Sequence, residues 1–224
     1  MTSEYPDGTP TGTRLLDAVA VMDRLRSPGG CPWDAAQTHE SLRRYLVEES
    51  WETLEAIDSG DVEHLREELG DLLLQVYFHA RIAAESEPDG FTIDDVAGGI
   101  VDKLVHRHPH VFAGVEVADA DEVEANWETL KSAETGRASV LEGVPLALPA
   151  LTLADKVLGR AAKVGVEPGP LVETEPLGEP AASPSSLGDR LLRLVVEARA
   201  AGLDAEQELR DAVRRLADAV RAAE

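Results

Sequence analysis

The chain has 224 residues, enough for one large or two small domains, and 43% of them are hydrophobic. Its formal net charge of −22 excludes nucleic-acid binding through a broad basic face. No apolar run approaches the ~18 residues of a membrane span.

Cys31 is the only cysteine, so an internal disulfide is impossible, which fits a reducing cytoplasm. Aromatic residues make up only 4% of the chain, while Ala and Leu are abundant, and this composition favours a helical protein. The sequence therefore predicts an all-α, cytoplasmic protein without membrane or nucleic-acid partners.

Apolar residues recur at helical spacing along most of the chain, and Gly, Pro and Ser clusters mark the ends of the segments. Helices are predicted over about 13–26, 39–59, 61–86, 92–106, 119–135, 148–163, 187–201 and 204–222. The predicted organisation is a flexible tail (1–12), a catalytic helical domain (13–164), a Pro/Gly-rich linker (165–186) and a degenerate helical half-repeat (187–224).

The half-repeat rests on an internal similarity between "LGDLLLQVYFHARIA" at 69–83 and "LGDRLLRLVVEARAA" at 187–201. Chance similarity between two Leu/Ala-rich helices is the alternative, but the shared "LGD" and "AR" favour duplication. The second copy retains Asp189, and Ser186 stands where the first copy has Glu68. We therefore expect it to pack or dimerise without catalysing.

Four acids break the amphipathic pattern of the two neighbouring helices at 39–59 and 61–86. At 100° per residue, Glu49 falls in the middle of the apolar face of its helix and Glu52 along one edge, while Glu48 points away. On the next helix, Glu68 and Asp71 flank the face that is predicted to be inner. That inner face is Val62, Leu65, Leu69, Leu72, Val76, Ala80 and Ala83.

Buried carboxylates need cations or protons, because an unpaired buried charge is costly. For a single acid, an ordinary ion pair or a solvated edge is the usual explanation. Two pairs at i, i+3 spacing on consecutive antiparallel helices instead favour a hard-oxygen site for Mg²⁺, with Mn²⁺ as an alternative. Mg²⁺ held in this way commonly completes its shell with substrate phosphates, so a polyphosphate substrate is expected.

The motif ExxE (Glu49, Glu52) followed by ExxD (Glu68, Asp71) resembles the MazG-type nucleoside triphosphate pyrophosphohydrolases. The segments "GCPWDAAQTHESL", "EELGDLLLQV", "KLVHRHPHVF" and "NWETLK" also resemble family segments, in the family's order. The resemblance implies a four-helix-bundle-like all-α NTP pyrophosphatase fold, a homodimer or higher homo-oligomer, dependence on Mg²⁺, and conversion of (d)NTP to (d)NMP and pyrophosphate.

The same resemblance implies substrate contacts outside the acids. Lys103, Arg107 and Lys131 would bind the triphosphate, and Trp127 would face the nucleotide. Snorkelling cations and a core or interface Trp are the more ordinary fate of such residues.

Glu49 and Glu52 are the candidates for the general base. Trp51 and Phe78 lie on the helix faces opposite the predicted inner faces, so they are predicted to lie on a subunit interface.

Two other functions remain open on the sequence alone. A catalytically silent regulatory protein would bind nucleotide and metal without releasing product. A helical dimeric scaffold would pair its acids with cations across the dimer, and divalent metal would then leave its melting temperature unchanged. The sequence does not rank canonical, deoxy, oxidised and deaminated nucleotides as substrates.

Overall fold

The computed structural model describes residues 12–86, 88–120, 122–123, 126–127, 130, 139–167 and 184–224, with the side chains of 184–186 excepted. Its helices are α1 (Thr13–Arg26), α2 (Pro32–Ala36), α3 (His39–Ser59), α4 (Val62–Ala83), α5 (Ile93–Arg107), α6 (Pro109–Phe112), α7 (Ala150–Ala162), α8 (Pro184–Ala200) and α9 (Ala205–Ala223). No strand occurs among these residues, so the predicted all-α class is confirmed.

The helix starts follow local capping chemistry. Thr38 and Thr92 each form a reciprocal capping box at the start of α3 and α5. The side chain of Asp61 accepts from the amides of Glu63 and His64 and caps α4. α4 ends at Ala83, earlier than the predicted end near residue 86.

The chain divides into two compact units, residues 1–131 and 132–224. In the first unit, α3 and α4 pack along each other, and α1 and α5 pack against α4. Its core cluster consists of Met22, Leu42, Tyr77, Phe78 and Ile82. Leu42 is only 1% exposed, so the antiparallel pair of α3 and α4 packs on a fully buried apolar core.

The "CPWD" segment between α1 and α3 is held by a buried arginine. Arg26 donates through Nε and Nη2 to the two carboxylate oxygens of Glu85, at 2.9 and 2.8 Å, and through Nη1 to the carbonyls of Asp34 and Gln37. A Cβ on Gly30 would lie 2.3 Å from the Leu25 carbonyl oxygen, so this turn requires glycine. Trp33 packs edge-on against Phe78 and so anchors this segment on the core.

The predicted inner face of α4 is wrong at three positions. Val62, Leu69 and Val76 are 73, 52 and 42% exposed. The buried residues are instead Glu68, Gln75, Tyr77, Phe78, Ala80, Ile82 and Ala83. The helix is therefore rotated from the orientation that maximises apolar burial, and it turns polar side chains inward.

Because α4 is rotated in this way, the predicted place of Phe78 on a subunit interface is wrong. Phe78 is 3% exposed and belongs to the core, where it contacts the guanidinium of Arg26 at 5.6 Å from the ring centroid. It cannot lie on a subunit surface. Trp51, its predicted companion, is 37% exposed on the outer side of α3.

The second unit is a small helical assembly in which α7, α8 and α9 pack on one another. Leu158 and Val195 are its buried apolar residues among those described, and Arg199 pairs with Asp155 at 2.7 Å. The division at 131/132 places residues of the predicted catalytic domain (13–164) in both units. The domain assignment stays a prediction. The duplication also stays a prediction, and the side chain of Ser186, which would replace Glu68 in the second copy, is outside the described residues.

The predicted tail at 1–12 and the linker at 165–186 lie mostly outside the described residues, which here are 12, 165–167 and 184–186, and the last three already belong to α8. For the predicted helix at 119–135, the positions described as helical are 120, 122–123, 126–127 and 130. None of the described helices has the length and apolar character needed to span a membrane.

Candidate metal and triphosphate site

Three of the four predicted acids converge between α3 and α4. Glu49, Glu68 and Asp71 each offer a carboxylate oxygen, and these oxygens lie within 4.8 Å of one another. Glu49 comes from the middle of α3, while Glu68 and Asp71 come from one flank of α4. The helical i, i+3 spacing on α4 and the packing of α3 beside it bring the acids together.

Burial separates the inward acids from their sequence neighbours. Glu68 is 8% exposed, and Glu49 and Asp71 are half-buried, while Glu48 and Glu67 are exposed. The helical wheel therefore distinguishes Glu49 from Glu48 correctly, although it misplaces the apolar face of α4.

Glu52, the fourth acid, stands at the edge of this group. It is exposed and is not one of the three convergent carboxylates, but its side chain shares a hydrogen bond with Glu49. Glu52 is therefore coupled to the cluster through Glu49.

The pKa of Glu49 is raised above its ordinary value of 4.5. Desolvation by burial is the largest cause, and the neighbouring charges of Asp71, Glu52 and Glu68 add to it. Without a cation, the negative charges of the cluster therefore destabilise the folded protein. A divalent cation would remove that cost.

The oxygen donors fit Mg²⁺ or Mn²⁺. All three convergent groups are carboxylates, the hard ligands that these ions prefer, and no Cys or His belongs to the cluster among the described residues. Glu68 Oε2 is buried and has no hydrogen-bond partner, which leaves it available as a ligand. The chemistry of the site therefore agrees with the predicted metal.

Polar residues that the sequence analysis did not identify extend from the acids along α3 and α4. Glu68 Oε1 accepts from His64 Nε2 at 3.0 Å. One turn beyond Asp71, Gln75 is 4% exposed and its Oε1 has no partner. A search for polar residues at i, i±4 from the acids would have found both.

A histidine pair lies at the far end of this polar row. The Nδ1 atoms of His39 and His79 are 2.8 Å apart and their rings are stacked. Burial, and then the neighbouring His39, lower the pKa of His79. One Nδ1 must donate and the other accept, so the pair links the start of α3 to α4.

The predicted substrate contacts lie on and after α5. Lys103 is exposed and Arg107 half-buried, four residues apart on α5. The guanidinium of Arg107 stacks over Trp127, 5.4 Å from the ring centroid, so the structure joins two of these predicted residues. Lys131 lies outside the described residues. Their role as substrate contacts stays a prediction.

The histidines that follow α5 have a structural role. His108 donates from Nδ1 to the Leu104 carbonyl at 2.7 Å and closes the end of the helix. Its ring lies 5.6 Å from that of His110. These two contacts hold the segment that joins α5 to α6.

Comparison with known proteins identifies the family. Residues 37–112, which contain all four acids, match the MazG nucleotide pyrophosphohydrolase domain. The nucleoside triphosphate pyrophosphohydrolase/pyrophosphatase MazG of Thermotoga maritima is 37% identical over 92% of this chain and 84% of its own length. The chain belongs to the MazG family. The predicted family and its enzyme class, a hydrolase of acid anhydrides, are confirmed.

Other relatives extend the MazG match over nearly the whole chain. An uncharacterized 26.1 kDa protein of Streptomyces cacaoi is 50% identical over 95% of this chain and 84% of its own length. The nucleoside triphosphate pyrophosphohydrolase of Mycobacterium tuberculosis is 46% identical over 95% of this chain. The chain spans only 59% of that mycobacterial protein, which is therefore considerably longer.

Proposed function

We propose that this MazG protein hydrolyses (deoxy)nucleoside triphosphates to nucleoside monophosphate and pyrophosphate, with Mg²⁺ bound by its acidic cluster. The convergence of Glu49, Glu68 and Asp71 within 4.8 Å carries the proposal. A role in removing unwanted nucleotides or in controlling the nucleotide pool follows from the activity. The cytoplasmic location stays a prediction from the single cysteine.

Each group of residues has a distinct part in the proposed reaction. Glu49, Glu68 and Asp71 would hold the metal, and Glu52 would complete the acidic edge. When bound, Mg²⁺ would neutralise phosphate charge and polarise a phosphoryl oxygen. Lys103, Arg107 and Lys131 would bind the remaining phosphate oxygens, and Trp127 would face the nucleotide.

The proposed reaction is an attack of water on the α-phosphorus, with a carboxylate as the acceptor of the proton. The water oxygen forms a bond to the α-phosphorus, and the bond from that phosphorus to the α–β bridging oxygen breaks. Pyrophosphate leaves, and Glu49 or Glu52 accepts the proton of the water. Positioning and charge stabilisation are most of what phosphoryl transfer requires of a protein.

Product analysis with labelled water tests the proposal. The protein is incubated with Mg²⁺ and a panel of canonical, deoxy, oxidised and deaminated NTPs in ¹⁸O-water, and the products are analysed by mass spectrometry. Attack at the α-phosphorus places one ¹⁸O in the monophosphate and none in the pyrophosphate. Label in pyrophosphate, or a diphosphate product, would overturn the proposed reaction.

Two variants connect the reaction to the site. Asp71→Ala should abolish turnover, while Glu67→Ala, an exposed acid on the same helix, should leave it unchanged. Binding of NTP without product in the wild type would instead support a silent nucleotide-binding protein.

A homodimer or higher homo-oligomer is also proposed. Val47, Trp51 and Leu54 are 55, 37 and 42% exposed and recur at i, i+4, i+7 on the outer side of α3. On α5, Ile100 and Leu104 are 45 and 47% exposed. Apolar rows of this kind on two helices of the same unit suit helix packing between subunits.

A further inference from the structure

The two oxygens of the Glu68 carboxylate have different surroundings. The residue is 8% exposed, so both oxygens have lost most of their contact with water. Oε1 accepts a hydrogen bond from His64, and Oε2 is buried without a partner. A buried carboxylate oxygen without a partner destabilises the folded state unless a cation or a proton reaches it.

His64 is placed for this contact by the start of α4. Asp61 Oδ1 accepts from the backbone amides of Glu63 and His64 at 3.0 and 3.1 Å, which fixes the first turn. His64 and Glu68 are four residues apart, so their side chains lie on the same flank. Nε2 of the imidazole thus lies 3.0 Å from Glu68 Oε1.

The choice of donor matters for a metal ligand. An imidazole can donate from Nε2 in its neutral form, which leaves the negative charge of the carboxylate for a cation, whereas an arginine would neutralise it. Groups that hydrogen-bond a ligating carboxylate fix its orientation and strengthen metal binding. The basic side chain of Arg66 pairs with Glu63, away from the cluster.

We propose that His64 is a positioning residue for the acidic site: by holding Glu68 Oε1, it presents Oε2 to the divalent cation. The inference rests on the proposed function for the metal itself, but it concerns a residue outside the motif of four acids. His64 would touch neither metal nor substrate and would act only through Glu68.

The test compares side chains that can and cannot reach Glu68. The probe is Mn²⁺ alone, titrated into metal-free protein, with free Mn²⁺ measured by electron paramagnetic resonance. His64→Gln keeps an amide donor near the position of Nε2, whereas His64→Asn is too short and His64→Leu has no donor. The His64 side chain is 39% exposed, so we expect all three variants to fold, which melting curves check.

We expect His64→Leu and His64→Asn to weaken Mn²⁺ binding about 10-fold or more, and His64→Gln to bind close to the wild type. Arg66→Ala is the matched control on the same turn, because that side chain is 77% exposed, and it should bind Mn²⁺ normally. In turnover assays the concentration of metal needed for half-maximal rate should rise in the Leu and Asn variants, and saturating metal should restore most of kcat.

Asp71→Asn separates this inference from the proposed function. If it loses Mn²⁺ while His64→Leu and His64→Asn bind as tightly as the wild type, the role of His64 is overturned and the metal site stands. Equal weakening in the Gln, Asn and Leu variants would overturn the role of the hydrogen bond. A wild-type protein that binds no Mn²⁺ would overturn both proposals.

Discussion

Glu49 lies between α3 and α4 with Asp71, Glu52 and Glu68 close enough to raise its pKa. Above that pKa, the ionised Glu49 destabilises the metal-free folded state relative to the unfolded chain, where its pKa is ordinary. The native protein binds more protons than the unfolded protein between the two pKa values, so its stability falls as the pH rises through this window.

The first prediction concerns this charge. Without divalent metal at neutral pH, Glu49→Gln should melt at a higher temperature than the wild type, and it should lose the fall in stability as the pH rises from about 4.5. Mg²⁺ is expected to raise the melting temperature of the wild type, and Glu49→Gln should lack this rise. Differential scanning calorimetry with and without Mg²⁺ measures both effects.

Glu48→Gln is the control, since Glu48 is exposed on the next position of the same helix. It should change neither the metal-free melting temperature nor the response to Mg²⁺. A Glu49→Gln protein that is less stable than the wild type without metal would contradict the electrostatic account of the cluster.

The position of individual acids was predictable, but their partners were not. Helical geometry alone separates Glu49 from Glu48, because 100° per residue moves a side chain to another face. The contact of His64 with Glu68 depends on the rotation of α4, which apolar periodicity predicted wrongly. Lys131 lies outside the described residues, and its role depends on the family resemblance alone.

The helix pair α3 and α4 combines a buried apolar region with an acidic one. Leu42, near the start of α3, packs with Phe78 and Ile82 toward the end of α4. Glu49 lies about two helical turns after Leu42 on α3, and Asp71 lies about two turns before Phe78 on α4. The apolar end thus holds the helices at the spacing that brings the carboxylates together.

Truncation of this apolar contact gives the second prediction. Leu42→Ala should lower the free energy of unfolding by about 2–5 kcal/mol, because Leu42 is 1% exposed and a cavity would remain. Leu16→Ala on α1, where the leucine is 71% exposed, should stay within about 0.5 kcal/mol of the wild type. Urea unfolding followed by circular dichroism compares them, and equal effects would contradict this packing.

The major helices were predictable because their signals are local. Thr38, Asp61 and Thr92 cap their own helices, and Pro and Gly clusters separate the segments. The short helices α2 and α6 were not predicted, since each has five residues or fewer. Helix α2 is held by contacts of Arg26 with the Asp34 and Gln37 carbonyls, which its own sequence does not reveal.

The acidic cluster and the core around Leu42 both belong to the first of the two units, residues 1–131. The second unit has its own small apolar centre at Leu158 and Val195. Sequence similarity between 69–83 and 187–201 predicted a degenerate copy, and both segments lie mainly in helices, α4 and α8. Helical structure alone does not separate duplication from coincidence, because Leu/Ala-rich segments are commonly helical.

Self-association gives the third prediction. Sedimentation equilibrium of the wild type should give at least twice the chain mass of 24.0 kDa. Leu54→Asp should shift the protein toward the single-chain mass, because it places a charge in the exposed apolar row on α3. Leu16→Asp, an equally drastic change at an exposed leucine of α1, should leave the assembly intact. A monomeric wild type would refute the proposed oligomer.

Anomalous diffraction would locate a divalent cation between the three convergent carboxylates. Crystals soaked in Mn²⁺ and measured at a wavelength with strong manganese absorption should show an anomalous difference peak. This peak should lie within coordination distance of carboxylate oxygens of Glu49, Glu68 and Asp71. A well-diffracting crystal with no peak there, or with its only strong peaks elsewhere, would contradict the account.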